Sequence, residues 1–218
     1  VKAQVTFAPG GEVEGVRIGL VEAGGVAWKP SLPSQSAALA TESAISPISA
    51  DRKAAVRSML RYKTYKPAGR AKPSSEYLAQ AALEGDFPAV NFLVDAANKV
   101  SLVSGYPISL VDLGKSGLDL LIRRGREGEG YVFNAGGQEI DCRDLLCLCR
   151  KTESGYLPTA NPVRDSMSTK VFEDVGSVLA VIYAPEGPEG GDLEKSCADL
   201  AGALSEISSA VEWRIVEP

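Results

Sequence analysis

Asn91-Phe92-Leu93-Val94-Asp95-Ala96-Ala97-Asn98-Lys99-Val100, closed by Gly105 and followed by Tyr106-Pro107-Ile108-Ser109-Leu110-Val111-Asp112-Leu113, is where the chain changes character. Before Gly105 the apolar residues Val90, Leu93, Val94, Ala97 and Val100 recur at helical spacing, with Asp86 and Pro88 as start signals and Ser104 near the end. After it come short apolar runs separated by turn residues: Ile108–Val111, Leu118–Arg123, Tyr131–Phe133, Glu139–Ile140 and Leu145–Cys149. Helices set among many antiparallel-looking strands predict an α+β fold and not an alternating doubly wound sheet.

Upstream, Pro73-Ser74-Ser75-Glu76 opens a helix that runs to Gly85, with serine hydroxyls available as caps and Glu76 in the first turn. Asp51 to Tyr62 reads as a helix capped by Asp51, and Ser34 to Ile45 as another, after a loop punctuated by Pro30 and Pro33. The first residues predict a hairpin: Val5-Thr6-Phe7, a turn at Gly10-Gly11, then Val13 to Val21. Downstream, a loop from Thr152 to Asp165 leads to strand-like Lys170-Val171-Phe172 and to Val178–Tyr183, the best buried-strand candidate. Pro185 to Gly191 connects to a helix capped by Asp192 and carrying Leu193, Leu200 and Leu204; Val211 to Val216 predicts a last strand. Gly125, Gly128 and Gly130 lack the spacing of a nucleotide-binding fingerprint and read as turn residues.

The 218 residues contain 44% hydrophobic and 23% charged residues, which suits a folded chain with a proper core and excludes collagen, coiled-coil and disordered classes. Net charge is −5, so a nucleic-acid partner needs a local basic patch against a mildly repulsive field. Histidine is absent, which removes His-based triads, His-ligated zinc and haem. Cys142, Cys147, Cys149 and Cys197 lack a C-x-x-C pairing, and the first three belong to a run that reads as a buried strand. No stretch approaches the roughly 18 apolar residues of a membrane span, and no apolar leader opens the chain, so a cytoplasmic location is expected.

Three polar groupings are candidates for chemistry. Asn91, Asp95 and Asn98 stand at i, i+4 and i+7 on one helix stripe, with Asp112 on the following strand; short amides and acids there suit ligand positioning, or the tying down of a neighbouring loop. Asn161, Arg164, Asp165 and Thr169 gather in the late loop, where Arg164 can meet a phosphate bidentately. Arg61, Lys63, Lys66, Arg70 and Lys72 interleave with Tyr62 and Tyr65, a composition that binds phosphates and stacks bases, or simply forms a solvated loop. Arg70 and Glu76 read as a pair at a helix start, and Arg123 and Glu127 as strand-end and turn charges.

The stretch quoted first resembles the B3/B4 domain of the bacterial phenylalanyl-tRNA synthetase β subunit, whose pattern is Val-Asp, two residues, Asn, then Pro-x-His-x-x-Asp-Leu. Ile122-Arg123-Arg124-Gly125-Arg126-Glu127-Gly128-Glu129 is similar to that domain's Gly-Glu turn, and Asp144-Leu145-Leu146 to its aspartate-led strand. Pro73-Ser74-Ser75-Glu76 and Asn161-Pro162-Val163-Arg164-Asp165 look like the relatives that consist of this domain alone. The resemblance covers about 70–184 and implies one B3/B4-like domain over 1–218, with mixed sheets and packed helices, an extension at 1–69 and a closing helix and strand at 192–216.

By that resemblance the chain would be a trans-acting deacylase hydrolysing a mischarged aminoacyl-tRNA ester; the alternative is a tRNA- or amino-acid-binding module that lost the chemistry, and a small-molecule hydrolase or binder unrelated to RNA comes third. An aminoacyl ester is already activated, so orienting a water and the ribose hydroxyl can drive hydrolysis without histidine. The family's histidine corresponds to Ser109, a poor base, and its tyrosine-reading glutamate to Val181, which cannot reward a buried phenol. The implied assignments are positioning roles for Asp95, Asn98, Ser109 and Asp112; substrate contacts from Asn91, Glu76, Asn161, Arg164, Asp165, Thr169 and Val181; and tRNA contacts from Arg61, Lys63, Lys66, Arg70 and Lys72. No cofactor, metal, ATP or membrane is expected; tRNA is the expected partner and a free amino acid a second ligand.

Overall fold

The computed structural model describes residues 2–31 and 48–218. Its strands are β1 (Gln4–Phe7), β2 (Val16–Val26), β3 (Ile108–Asp112), β4 (Asp119–Arg124), β5 (Gly130–Val132), β6 (Glu139–Asp141), β7 (Leu146–Thr152), β8 (Gly155–Ala160), β9 (Ser177–Pro185) and β10 (Ser208–Val216). The helices are α1 (Ala50–Leu60), α2 (Ser74–Glu84), α3 (Phe92–Ser104), α4 (Leu113–Ser116) and α5 (Leu193–Leu204). One four-stranded sheet has the order β1-β4-β7-β8, a second the order β10-β2-β9-β3, and β5 and β6 form a separate two-stranded hairpin. β1 lies parallel to β4 and the other ladders are antiparallel, so the fold is α+β with mixed and antiparallel sheets.

The apolar run at Val178 lies inside β9, between β2 and β3, and from Val178 onward the whole strand is buried. Both faces of such a strand need cover, which is why it reads as a continuous apolar run. The cysteine-rich run is likewise interior: Leu145 to Cys149 are buried, and all four cysteines are free thiols. Burial pushes the thiols of Cys149 and Cys197 up to about 12, which makes both unreactive at neutral pH. Helix α5 packs on β2 at Gly19, where any Cβ would run into Cys197 Sγ and Leu193, so a residue without a side chain permits the close approach.

Several expectations are corrected. The N-terminal hairpin does not form; both glycines of the expected turn have positive φ, but β1 and β2 enter different sheets because β1 pairs with β4. Helix α1 is capped by Ser49, whose side chain accepts from Arg52 N, and Asp51 sits in the first turn. The helix expected from Asp86 starts at Phe92, since Asn91 has the extended backbone of a cap and its side chain accepts from Val94 N at 3.0 Å. Residues 170–172 form no strand. Among the described residues no side chain caps α2, and the hydroxyls of Ser74 and Ser75 are buried without a partner. Asp192 holds the cap position of α5 without a capping bond from its side chain. Pro33 and the helix expected over Ser34–Ile45 fall outside the described residues.

Candidate nucleic-acid interface

A cleft of about 820 Å³ opens between the segment 64–71 and the β5–β6 hairpin. Lys66 and Arg70 come from the first wall, Phe133, Glu139, Asp141 and Arg143 from or just beyond the hairpin, and Tyr77 and Arg164 from α2 and the late loop. Four cations against two carboxylates leave the cleft at a net +2 on a chain of net −5. That local excess sets the cleft apart from the net negative charge of the chain.

Arg164 is held from several sides. Asn161 Oδ1 accepts from Val163 N at 2.8 Å and Arg164 N at 2.9 Å, and Asn161 Nδ2 donates to the Tyr131 hydroxyl. That hydroxyl donates in turn to Arg164 O at 2.6 Å. The Arg164 guanidinium donates to Val163 O at 2.8 Å and lies 4.2 Å from the Tyr77 ring centre and 5.9 Å from that of Phe133. Lys72 Nζ also approaches Tyr77, at 4.3 Å. A guanidinium held over aromatic rings keeps the in-plane donors that Val163 O does not use available for a phosphate while its orientation is fixed.

Behind Arg164 the chain turns inward to a polar cluster between the sheets. Asp165 Oδ2 accepts from Leu110 N at 2.9 Å, while its Oδ1 is buried with no hydrogen-bond partner among the described residues. Burial pushes the Asp165 carboxyl up to about 6, against the Leu110 N–H and the nearby Ser109 hydroxyl and Asn161 backbone, which favour the ionised form. Ser109 Oγ donates to Asn161 O at 3.0 Å and accepts from the Tyr183 hydroxyl at 3.2 Å. Ser109 and Val181 are fully buried and face each other across β3 and β9.

The expected site residues therefore divide. Lys66, Arg70 and Arg164 share the cleft, Lys72 flanks it, and Asn161 and Asp165 support the turn that carries Arg164. Arg61 lies toward the far end of α1 and Lys63 over Tyr62, both outside the cleft. Asn91 caps α3, and Asp95 on the same helix accepts from Val90 N at 2.9 Å and pairs with Ser31, so both tie down a loop. Asn98 is half-buried on α3, away from the cleft. Asp112 caps α4 through Gly114 N and pairs with Lys115 at 3.0 Å; Thr169 meets Thr159 at 2.9 Å. Glu76 pairs with Arg57, at 2.6 and 2.7 Å, and not with Arg70. Arg123 is buried and bound to Glu129 at 2.6 and 2.7 Å, which corrects its reading as a surface charge; Glu127 stays exposed, 3.4 Å from Arg143.

Tyr77, Phe133 and Arg143 complete the cleft and were not singled out by sequence reasoning; an aromatic three residues into a helix reads as ordinary packing until the late loop is seen to fold over it. Among the described residues, no group of three or more cysteines and carboxylates is placed to hold a metal ion, and no helix is long and apolar enough to cross a membrane.

No protein-family model matches the sequence, and no curated protein matches it. Among solved structures, an N-terminal fragment of the phenylalanyl-tRNA synthetase beta-subunit from Pyrococcus horikoshii is similar to this chain, with a TM-score of 0.48 and 11% identity. The match covers 99% of this chain and 51% of that fragment, so the chain spans about half the fragment's length.

Proposed function

We propose that this chain binds the single-stranded acceptor end of a tRNA in the cleft between Arg70, Arg164 and the β5–β6 hairpin. The observation that carries the reading is Arg164, fixed by Asn161 and Tyr131 over the ring of Tyr77 in a cleft with a net positive charge. Single strands are held by cations that follow the phosphates and by aromatic faces on which bases stack. Tyr77 and Phe133 supply faces; Lys66, Arg70, Arg143 and Arg164 supply charge. The volume suits this, since ligand sites run from about 300 to 1,000 Å³. The resemblance of residues 70–184 to a tRNA-editing domain supplies the choice of tRNA among nucleic acids.

A second reading, hydrolysis of the aminoacyl ester, is favoured by one observation: a buried carboxyl at Asp165, raised to about 6 and next in the chain to Arg164. A base with that pKa is well matched to neutral pH.

Both readings are tested on the same samples, using a labelled acceptor minihelix with and without its amino acid. Arg164→Ala and Arg70→Ala should each weaken binding about tenfold, since a hydrogen bond to a charged group contributes about 1.5–3 kcal/mol. Unchanged affinity in the double variant overturns the binding reading. Turnover above the buffer rate across a panel of mischarged tRNAs, abolished in Asp165→Asn, establishes hydrolysis; turnover no faster than buffer eliminates it.

A further inference from the structure

The strand β10 is nine residues long and forms one end of its sheet; among the described residues only β2 pairs with it. Its sequence, Ser208-Ser209-Ala210-Val211-Glu212-Trp213-Arg214-Ile215-Val216, contains no proline, and its pairing with β2 shows no register shift. Trp213 is 41% exposed, and Ser209, Ala210 and Glu212 are also exposed. Natural edge strands are usually short, kinked, proline-bearing or lysine-rich, because a long regular edge is a template for another strand.

We propose that this edge pairs with β10 of a second copy of the chain, antiparallel and centred on Trp213, so that the two four-stranded sheets become one of eight strands. The register follows from two constraints. Ala27 N donates to Ile207 O at 2.7 Å at the start of the β10–β2 ladder, with the same residue offset as the pairs that follow. Backbone groups alternate along an antiparallel strand, so odd-numbered residues of β10 turn to β2 and Ala210, Glu212 and Arg214 present theirs outward. Outward residues must then meet outward residues, which leaves centres at 212, 213 or 214 for the charged middle of the strand. A centre at 212 sets Glu212 against its own copy, and a centre at 214 sets Arg214 against its own copy; like charges directly opposite repel. A centre at 213 sets Glu212 opposite Arg214 twice and Trp213 opposite Trp213.

Within one chain, Glu212 also meets Lys2 at 3.3 Å, and Arg214 meets Glu22 and Ala3 O. These contacts steady the residues that the second copy would meet; Glu22 lies on β2, the strand already paired with β10, and Lys2 and Ala3 precede β1.

The register is read by cross-linking. The four native thiols are buried, so a single surface cysteine reports alone. With copper–phenanthroline as oxidant, Trp213→Cys should give a disulfide-linked dimer, because residues opposite at a non-hydrogen-bonded site have Cα atoms about 4.5 Å apart, within disulfide reach. Leu157→Cys on β8, the exposed end of the other sheet, should not. Independently of these variants, sedimentation of the native chain should show a concentration-dependent dimer. Glu212→Arg, which turns both attractive pairs repulsive, should raise its dissociation constant about tenfold or more. A monomer at every concentration, equal cross-linking through position 157, or an unchanged dissociation constant in Glu212→Arg overturns the proposal.

Discussion

The carboxylate of Asp165 keeps one oxygen on the Leu110 N–H and leaves the other buried, without a hydrogen-bond partner among the described residues. An acid in that position is held more easily with its proton than without it, and the pKa rises from 3.8 to about 6. The folded form thus binds the proton more tightly than the unfolded chain does. The resulting stability is full below the unfolded pKa near 4, declines as pH rises toward 6, and stays at the lower level above it. A change of that size corresponds to about 3 kcal/mol. Asp165→Asn keeps an acceptor for Leu110 N and removes the charge, so it should stabilise the protein at pH 7 by about 1–3 kcal/mol and leave it nearly unchanged at pH 4. Urea melts of parent and variant at pH 4, 5, 6 and 7 check this; a difference that does not grow with pH assigns the buried charge elsewhere. The residue type and loop were legible in the sequence, which placed Asp165 beside Asn161 and Arg164. Its burial was not, because that depends on β3, which lies more than fifty residues earlier in the chain.

Elements were read best where a local signal terminates them and worst where a distant partner decides. Gly105 ends α3 with φ 77°, as a glycine after an apolar helix face suggests. The start was misplaced because Asp86 and Pro88 look like a beginning, yet Asn91 makes the cap that bonds Val94 N. The same geometry uses Asn91 and Asp95 of the expected polar stripe to hold the segment before α3, through Val94 N, Val90 N and Ser31. Asn91→Ala should therefore cost about 1 kcal/mol of stability and leave minihelix affinity unchanged, the reverse of Arg164→Ala. Chemical denaturation and binding on both variants separate the two roles; lost affinity in Asn91→Ala would return that residue to the site. The parallel pairing of β1 with β4 had no local signal at all, since Val5-Thr6-Phe7 alternates equally well in a hairpin. Packing of α5 on β2 has one sharp requirement. Gly19→Ala drives a methyl into Cys197 Sγ and Leu193 inside a filled core, and should cost about 1–3 kcal/mol, measured as a lower urea midpoint.

At the scale of the molecule, the question is how an acidic chain concentrates positive charge. Arg57, Arg123 and Arg52 are paired with Glu76, Glu129 and the Glu189–Asp192 pair, which offsets their charge locally. What remains at the cleft is Lys66, Arg70, Arg143 and Arg164, opposed on the hairpin by Glu139 and Asp141, with the exposed Glu127 3.4 Å from Arg143. The basic stretch was visible in the sequence, but its neighbours across the cleft were not, since the hairpin that supplies them begins some sixty residues later. These carboxylates set an upper limit on attraction to phosphates, and they give the RNA reading its own test. If two to four phosphates are neutralised, the logarithm of affinity should fall with the logarithm of salt at a slope of about −1.4 to −2.8, at roughly −0.7 per single-strand phosphate. Replacing Glu139 and Asp141 by Gln and Asn leaves the contacting cations in place, so affinity should rise severalfold at low salt and converge with the parent at high salt, where the exposed charges are screened. Anisotropy titrations of the labelled minihelix across a salt series check both expectations. A flat salt response combined with no gain in the neutralised variant would mean that phosphate is not what the cleft recognises, and would move the ligand to an uncharged metabolite held by Tyr77 and Phe133.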